Sequence, residues 1–309
     1  MQEQKKPIRM LITGQNSYLG RSVDSYLQDY NAAQGQEHYH VERISLRGAD
    51  WRNISFAGYD TLLHMAGIAH ADVGKASEEE QKRYYAVNCD LAVEVAQKAK
   101  QDGAKQFIYM SSVIIYGDSA PVGETRHITA QTEPRPANFY GNSKLQAEKE
   151  LMKLVDDKFH VAIIRTPMVY GRGSKGNFPL LKKMAEKLPI FPTVSNERSM
   201  IYVEHLAEFL RLLVESGVGG TFFPQNETYV STWHMVSAIG EASGKQVRPC
   251  KLLNPFVALA SRCPGKIGKL ANKAFGSLTI DQALSRQMFD GYCRYSLEES
   301  IRKIYEMGD

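Results

Sequence analysis

The chain predicts an α/β fold: a doubly wound parallel sheet, followed by a smaller C-terminal lobe. Three observations predict it. Strand-like and helix-like segments alternate from residue 8 to about residue 170. Most of the strand segments are continuous apolar runs, as strands read when helices cover both faces of their sheet. A glycine-bearing turn, Thr13 to Gly20, joins the first strand to the first helix. At 309 residues the chain is long enough for about two domains.

Residues 8–12 (Ile-Arg-Met-Leu-Ile) make the first strand, which Thr13-Gly14 ends, and 18–30 read as helix. Strands follow at 41–46 and 60–66. Between 78 and 101, Tyr84, Val87, Leu91, Val95 and Ala99 recur every three or four residues. That is the spacing of one buried helix face, and Gly103 closes the helix. Residues 105–112 form the next strand, 138–155 a helix and 161–165 a strand. After Tyr170 the rhythm loosens into a glycine-rich turn at 171–176 and helices near 178–187, 203–214, 232–242 and 297–305. The chain thus divides into a first domain over 1–170 and a smaller, discontinuous lobe over 171–309. Residues of about 200–230 are expected to pack back onto the first.

Composition excludes several classes. Apolar residues are 43% and charged residues 23%, an ordinary globular balance. The longest apolar stretches, 161–164 and 255–260, fall far short of the ~20 residues a membrane span needs. Polar residues 1–7 run straight into the first strand, so neither signal nor transit peptide is expected. Cys89, Cys250, Cys263 and Cys293 form no Cys-x-x-Cys pair. They read as reduced thiols of a cytoplasmic protein, and no metal is expected. A net charge of +4 is too small to point to nucleic acid. One stretch is unusual. Between Glu241 and Asp281 lie seven basic residues (Lys245, Arg248, Lys251, Arg262, Lys266, Lys269, Lys273) and no acidic one. Phe256, Val257, Leu259, Ile267 and Leu270 interleave with them. Such a surface over 245–273 can sit on anionic lipid; the plainer reading is a solvated helical subdomain.

The turn Thr13-Gly14-Gln15-Asn16-Ser17-Tyr18-Leu19-Gly20 aims backbone N–H groups and a helix N-terminus at one spot, which suits a pyrophosphate. Gly14 lets the chain turn and Gly20 lets the helix approach the sheet, while Ser17 stands where the usual pattern has its middle glycine. Asn16, Tyr18 and Leu19 belong to the same cofactor-facing turn. After the second strand an acidic residue would favour NAD by accepting from the 2′-hydroxyl. Here the chain reads Ile44-Ser45-Leu46-Arg47-Gly48, and Arg47 facing a 2′-phosphate leans towards NADP. Arg47 reads as well as a surface charge. Asp50 and Trp51 follow in a loop placed to border the adenine. His64-Met65-Ala66-Gly67 ends the third strand, where backbone meets cofactor in such folds, and His64 itself reads as a packed histidine.

Tyr140-Gly141-Asn142-Ser143-Lys144 is the most informative pentapeptide. In a helix Tyr140 and Lys144 share one face. A free phenol has a pKa of about 10; a nearby ammonium favours the phenolate and lowers it. Such a tyrosine exchanges a proton with a carbinol or ketone oxygen. Ser111-Ser112 ends the strand before it, at the edge where ligands bind open parallel sheets.

These residues resemble the extended short-chain dehydrogenase/reductases of the NAD-dependent epimerase/dehydratase type. The matching pieces are Thr13 to Gly20, His64 to Gly67, Asn88, Ser111 to Gly117, Tyr140 to Lys144, and Arg165 to Gly171. The resemblance covers about residues 10–175, with weaker matches to about 215. It implies a Rossmann-type fold and a catalytic trio of Ser112, Tyr140 and Lys144. It also implies cofactor contacts through Lys144, Tyr140 and Pro167, and a structural role for Asn88 in bonding helix to strand. Substrates would be nucleotide-activated sugars, gripped by Ser112, Val113, Tyr140, Asn177, Phe178 and Arg198, with a homodimer as the usual assembly. Arg198 suits a diphosphate, because a guanidinium binds such oxygens in a fork; a surface salt bridge is its plainer reading.

Dehydratases of this family carry an Asp-Glu pair after the catalytic hydroxyl residue. Val113 and Ile114 stand there, which argues against dehydration. Two reactions remain: reduction of a UDP-4-keto-6-deoxy-N-acetylhexosamine, or 4-epimerisation of a UDP-hexose with tightly bound NAD. Residues 165–202 resemble a capsule and O-antigen subgroup that makes UDP-N-acetylfucosamine or UDP-N-acetylquinovosamine. With Arg47 this favours the reductase. A polyprenyl-diphosphate-linked sugar and a non-catalytic nucleotide-binding protein are further alternatives.

Overall fold

The computed structural model of the protein describes residues 6–69 and 76–306; residues 1–5 of the polar leader lie outside them. The chain runs through β1 (Ile8–Thr13), α1 (Tyr18–Gln34), β2 (Tyr39–Ile44), β3 (Thr61–His64), α2 (Glu78–Tyr85), α3 (Leu91–Gln101), β4 (Gln106–Ser112), β5 (Thr125–Ile128), α4 (Phe139–Met152) and β6 (His160–Thr166). It continues through β7 (Met168–Tyr170), α5 (Phe178–Lys187), β8 (Ile190–Phe191), β9 (Met200–Tyr202), α6 (Val203–Ser216), β10 (Gly220–Phe222) and α7 (Thr232–Ala242). The last elements are β11 (Arg248–Pro249), α8 (Asn254–Arg262), α9 (Lys266–Phe275), β12 (Ser277–Ile280), α10 (Gln282–Arg286) and α11 (Leu297–Glu306). Among the described residues no helix is long and apolar enough to cross a membrane.

Two compact units form. The first comprises residues 1–117, 134–166 and 206–224. It holds a six-stranded sheet in the order β10-β6-β4-β3-β1-β2. Every pairing in it is parallel. β1 lies second from one edge, with the edge strand β2 on one side and β3 on the other, so the winding reverses between β1 and β3. In open α/β sheets that crevice, at the carboxyl ends of the strands, is where ligands bind. Leu62, Leu63, Phe107, Ile108, Tyr109 and Val161 to Ile164 are almost fully buried, as strands covered on both faces must be.

The helix expected over 78–101 is interrupted. A π-helical turn at Ala86–Asp90 separates α2 from α3. Such turns insert one residue into a helix and redirect a side chain; here that side chain is Asn88.

The second unit comprises residues 118–133, 167–205 and 225–306, so it claims 118–133, a stretch the sequence assigns to the first. Its strands form three two-stranded parallel pairs, β11–β8, β12–β5 and β7–β9. Helix α7 packs against both α5 and α11, and α8 and α9 form a hairpin closed by Cys263-Pro264-Gly265.

Candidate active site

The glycine turn follows β1 directly. Gly14 adopts φ 83°, a left-handed conformation that costs other residues energy. A Cβ there would lie 3.0 Å from the Ala66 backbone nitrogen and 3.1 Å from the Met65 carbonyl carbon. The turn therefore lies directly against the end of β3. Ser17 explains why no middle glycine is needed. It is extended, at φ −66° and ψ 142°, and caps α1 by accepting from the Gly20 N–H at 2.9 Å. Gly20 is buried against Ile12. Asn16 is exposed, and Tyr18 and Leu19 are half-buried, with the Tyr18 hydroxyl oxygen shielded from solvent.

At the end of β2 a second arginine approaches the turn. Arg43 reaches the turn: its Nη1 donates to the Gln15 carbonyl at 2.9 Å, and its Nε pairs with Asp24 at 2.7 Å. Arg47 is exposed beyond it. Asp50 is exposed and opens a short 3₁₀ helix over Asp50–Asn53. Trp51 is not a free adenine platform. It is 2% exposed, stacks on Phe56 at 6.4 Å and belongs to the core. A large aromatic near a loop buries itself unless something else needs its face.

His64 is buried, with Nδ1 3.0 Å from the Thr13 hydroxyl. Burial, aided by the Lys144 charge, pushes its pKa down to about 3, so the imidazole is neutral and structural. Met65 is buried, Ala66 half-buried and Gly67 exposed. A Cβ at Gly67 would lie 3.2 Å from Asn88 Oδ1 and 3.4 Å from Lys144 Nζ. The end of β3 thus passes directly over the lysine.

Asn88 bonds the chain just past β3. Its Oδ1 accepts from the Ile68 N–H at 2.8 Å, and its Nδ2 donates to the Ile68 carbonyl at 3.0 Å and to Ser143 Oγ at 3.1 Å. One side chain thereby ties the β3 exit to α4.

Helix α4 is capped by Asn138, whose side chain accepts from the Gly141 N–H at 3.0 Å. It carries Tyr140 and Lys144 one turn apart. Lys144 is 7% exposed. Its ammonium donates to the Met110 carbonyl at 2.8 Å and lies 4.6 Å from the centre of the Tyr109 ring. Burial, opposed by Glu148, pushes its pKa down to about 8. Tyr140 is half-buried, edge-on to Tyr84 at 6.0 Å. Burial and then Tyr84 push its phenol up to about 12. Ser112, the last residue of β4, accepts from the Ile114 N–H at 3.3 Å and starts the short helix Val113–Tyr116. Val113 is buried.

Beneath this face is a network the sequence does not announce. Ser111 Oγ donates to buried Glu148, whose carboxylate takes Nε and Nη2 of Arg165, the latter at 2.7 Å. Arg165 Nη1 donates to the Tyr116 hydroxyl at 2.6 Å. Only the position of Glu148, four residues after Lys144, hints at it.

The donor set fits a nicotinamide dinucleotide. Backbone crowds Gly14, a capped helix N-terminus opens beside it, and a buried lysine faces Gly67 at the next strand end. Pro167 follows directly on β6 and is buried. A hollow of about 420 Å³ bounded by Ile8, Thr61 and Gln106 lies instead at the amino ends of the strands, away from this set.

In the second unit Phe178 is buried and packs on Tyr170 at 5.8 Å. Asn177 precedes α5 and makes no side-chain cap. Arg198 pairs with no carboxylate among the described residues. Its Nη1 donates to the Lys273 and Gly276 carbonyls at 2.8 and 3.2 Å.

Comparison with known proteins accords with this geometry. The family model described as NAD dependent epimerase/dehydratase matches residues 10–224. The chain is 25% identical to a UDP-glucose 4-epimerase of Vibrio cholerae, over 97% of this chain and 95% of that one. It is 25% identical to the N-acetyl-alpha-D-glucosaminyl-diphospho-ditrans,octacis-undecaprenol 4-epimerase of Escherichia coli O157:H7, over 91% and 87%. In fold it is similar to a dTDP-4-dehydrorhamnose reductase of Clostridium acetobutylicum, with TM-score 0.70, 19% identity and 97% and 99% coverage. A UDP-glucuronic acid 4-epimerase of Bacillus cereus in complex with NAD gives TM-score 0.68, 16% identity and 96% coverage of both chains. With the family model matching well over half its length, the chain belongs to the NAD dependent epimerase/dehydratase family.

Proposed function

We propose that the protein carries out oxidoreduction at C4 of a sugar held on a diphosphate, in the reductive direction, on a UDP-4-keto-6-deoxy-N-acetylhexosamine. The products are UDP-N-acetylfucosamine or UDP-N-acetylquinovosamine. The observation that carries this reading is the placement of Tyr140 one helical turn before buried Lys144 on α4, a phenol able to give a proton to a ketone oxygen, with only apolar Val113 and Ile114 after Ser112.

The Gly14 turn, the α1 N-terminus, Gly67 and Lys144 would hold the nicotinamide dinucleotide, which supplies hydride when bound. Tyr140 gives its proton to the C4 oxygen as that carbon is reduced, and the Ser112 hydroxyl holds the same oxygen. The phenolate left behind recovers a proton from solvent, stabilised meanwhile by the Lys144 ammonium. Arg198, half-buried and bonded only to carbonyls among the described residues, is the clamp for the diphosphate. Val113 and Ile114 offer no proton-transfer group for dehydration.

A second reading, 4-epimerisation, is favoured by the names of the two relatives that span nearly the whole chain. One of those names places the sugar on a polyprenyl diphosphate. The deciding experiment incubates purified protein with UDP-4-keto-6-deoxy-N-acetylglucosamine and NADH or NADPH, following absorbance of the reduced dinucleotide. Consumption is expected, reduced about 10²- to 10⁴-fold in Tyr140→Phe with cofactor binding intact. Tightly retained NAD⁺, with UDP-sugar interconversion that needs no added reductant, overturns the reductase in favour of the epimerase. Turnover confined to the polyprenyl-linked sugar assigns the carrier to lipid.

A further inference from the structure

We propose that the α8–α9 hairpin is a docking element for an anionic lipid bilayer. The inference stands apart from the reaction at C4. Leu252, Phe256, Leu259, Ile267 and Leu270 are each 61–82% exposed. No other large apolar side chain among the described residues exceeds 49%. Leu252, Phe256 and Leu259 recur at helical spacing along one side of α8 and the turn before it, and Ile267 and Leu270 do the same on α9.

The bare face does not come from a loosely placed helix pair, because the inner side is anchored. A Cβ on buried Gly268 would lie 2.1 Å from the Cys263 carbonyl oxygen, so α9 runs hard against the end of α8. Asn272 Nδ2 donates to the Ser261 carbonyl at 3.1 Å and its Oδ1 accepts from the Val122 N–H at 3.0 Å. Asn254 bonds both the N–H and the carbonyl of Thr193, at 2.9 and 3.2 Å. Phe275 is buried. The apolar side chains that remain outside are held there.

Charge decides the occupant. Lys251, Arg262, Lys266, Lys269 and Lys273 are all exposed around these side chains, and no acidic residue lies between Glu241 and Asp281. A second copy of the chain would set like charge against like charge. A bilayer with anionic headgroups neutralises the lysines, whose stems snorkel while Phe256 and the leucines enter the acyl boundary. The far end of α9 holds Arg198 through the Lys273 and Gly276 carbonyls, so the docking element and the diphosphate clamp are structurally continuous.

Flotation of the full chain tests this, with vesicles of phosphatidylcholine alone and of phosphatidylcholine mixed with phosphatidylglycerol. At least about tenfold more protein is expected on the anionic vesicles. Two variants should each lose at least about tenfold of that binding. One combines Phe256→Ser, Leu259→Ser and Leu270→Ser; the other combines Lys266→Gln, Lys269→Gln and Lys273→Gln. All six side chains are exposed, and melting temperatures confirm that both variants fold. Wild type that ignores anionic vesicles, or variants that float equally well, overturn the proposal. Sedimentation showing a dimer that the apolar variant splits, without flotation, assigns the face to a second copy and overturns it too.

Discussion

Helix α4 buries ionisable side chains, whereas α8 and α9 leave apolar side chains in water. Both invert the ordinary partition of a surface helix, and both inversions cost stability. On α4, Lys144 and Glu148 are almost fully buried along with Ser143, Ala147 and Leu151. Desolvating two charges is offset only by near-complete bonding. That bonding is present: Met110 and Tyr109 receive the ammonium, and Arg165 and Ser111 receive the carboxylate. On the hairpin, five large apolar side chains forgo burial worth about 25 cal/mol per Å² each. The difference teaches where each helix finds its partner. The ionisable groups of α4 are satisfied within the first unit, while nothing among the described residues of the second unit covers the outer face of α8 and α9.

The comparison can be broken most forcefully at Glu148. Glu148→Gln leaves the Arg165 guanidinium facing a neutral amide, and a loss of about 3–5 kcal/mol is expected in urea unfolding. A loss below about 1 kcal/mol would mean that the α4 charges are not mutually supporting. Lys144 offers a smaller and sharper test. Its folded pKa of about 8 lies below its ordinary value of 10.5. Between those pH values the unfolded chain binds a proton that the folded chain lacks, so this group makes stability rise with pH across that window. The rise is on the order of 3 kcal/mol. Urea midpoints of wild type and Lys144→Met, measured at intervals across the window, should differ in slope in that sense; parallel curves would refute the burial cost. The hairpin should respond least. Phe256→Ser is expected to change stability by less than about 0.5 kcal/mol. Truncating a buried ring such as Phe107→Ala should cost about 3–5 kcal/mol. Comparable melting shifts for the two would show that the hairpin face is covered within the monomer.

Much of the site is visible in sequence because its parts are local. The Thr13–Gly20 turn, the strand-end serines and the Tyr140–Lys144 pair each lie within eight residues, and their spacing alone places them on one turn or one helix face. Asn88 is legible only through family resemblance, since its function depends on a π turn that re-aims it at Ile68. Trp51 and Phe178 read as ligand-facing because they sit beside motifs, yet both are core residues. Adjacency in the chain says nothing about which way a ring points. Arg43 was hidden for the converse reason: it lies within the strand, one residue before its end, while attention falls on the loop after it. The Glu148–Arg165–Ser111 network joins residues 17 and 37 positions apart, a pairing no local pattern encodes.

Periodicity and turn chemistry in the chain dictate the alternation of strands and helices, the glycine turn after β1, and a tyrosine one helical turn before a lysine, because each depends on contacts between near neighbours. Protonation states, the commitment of Trp51 and Phe178 to packing, and the bareness of the α8–α9 face arise only after folding. They depend on which distant groups exclude water from a given atom, and solvent exclusion is a property of the assembled surface, not of any stretch of chain.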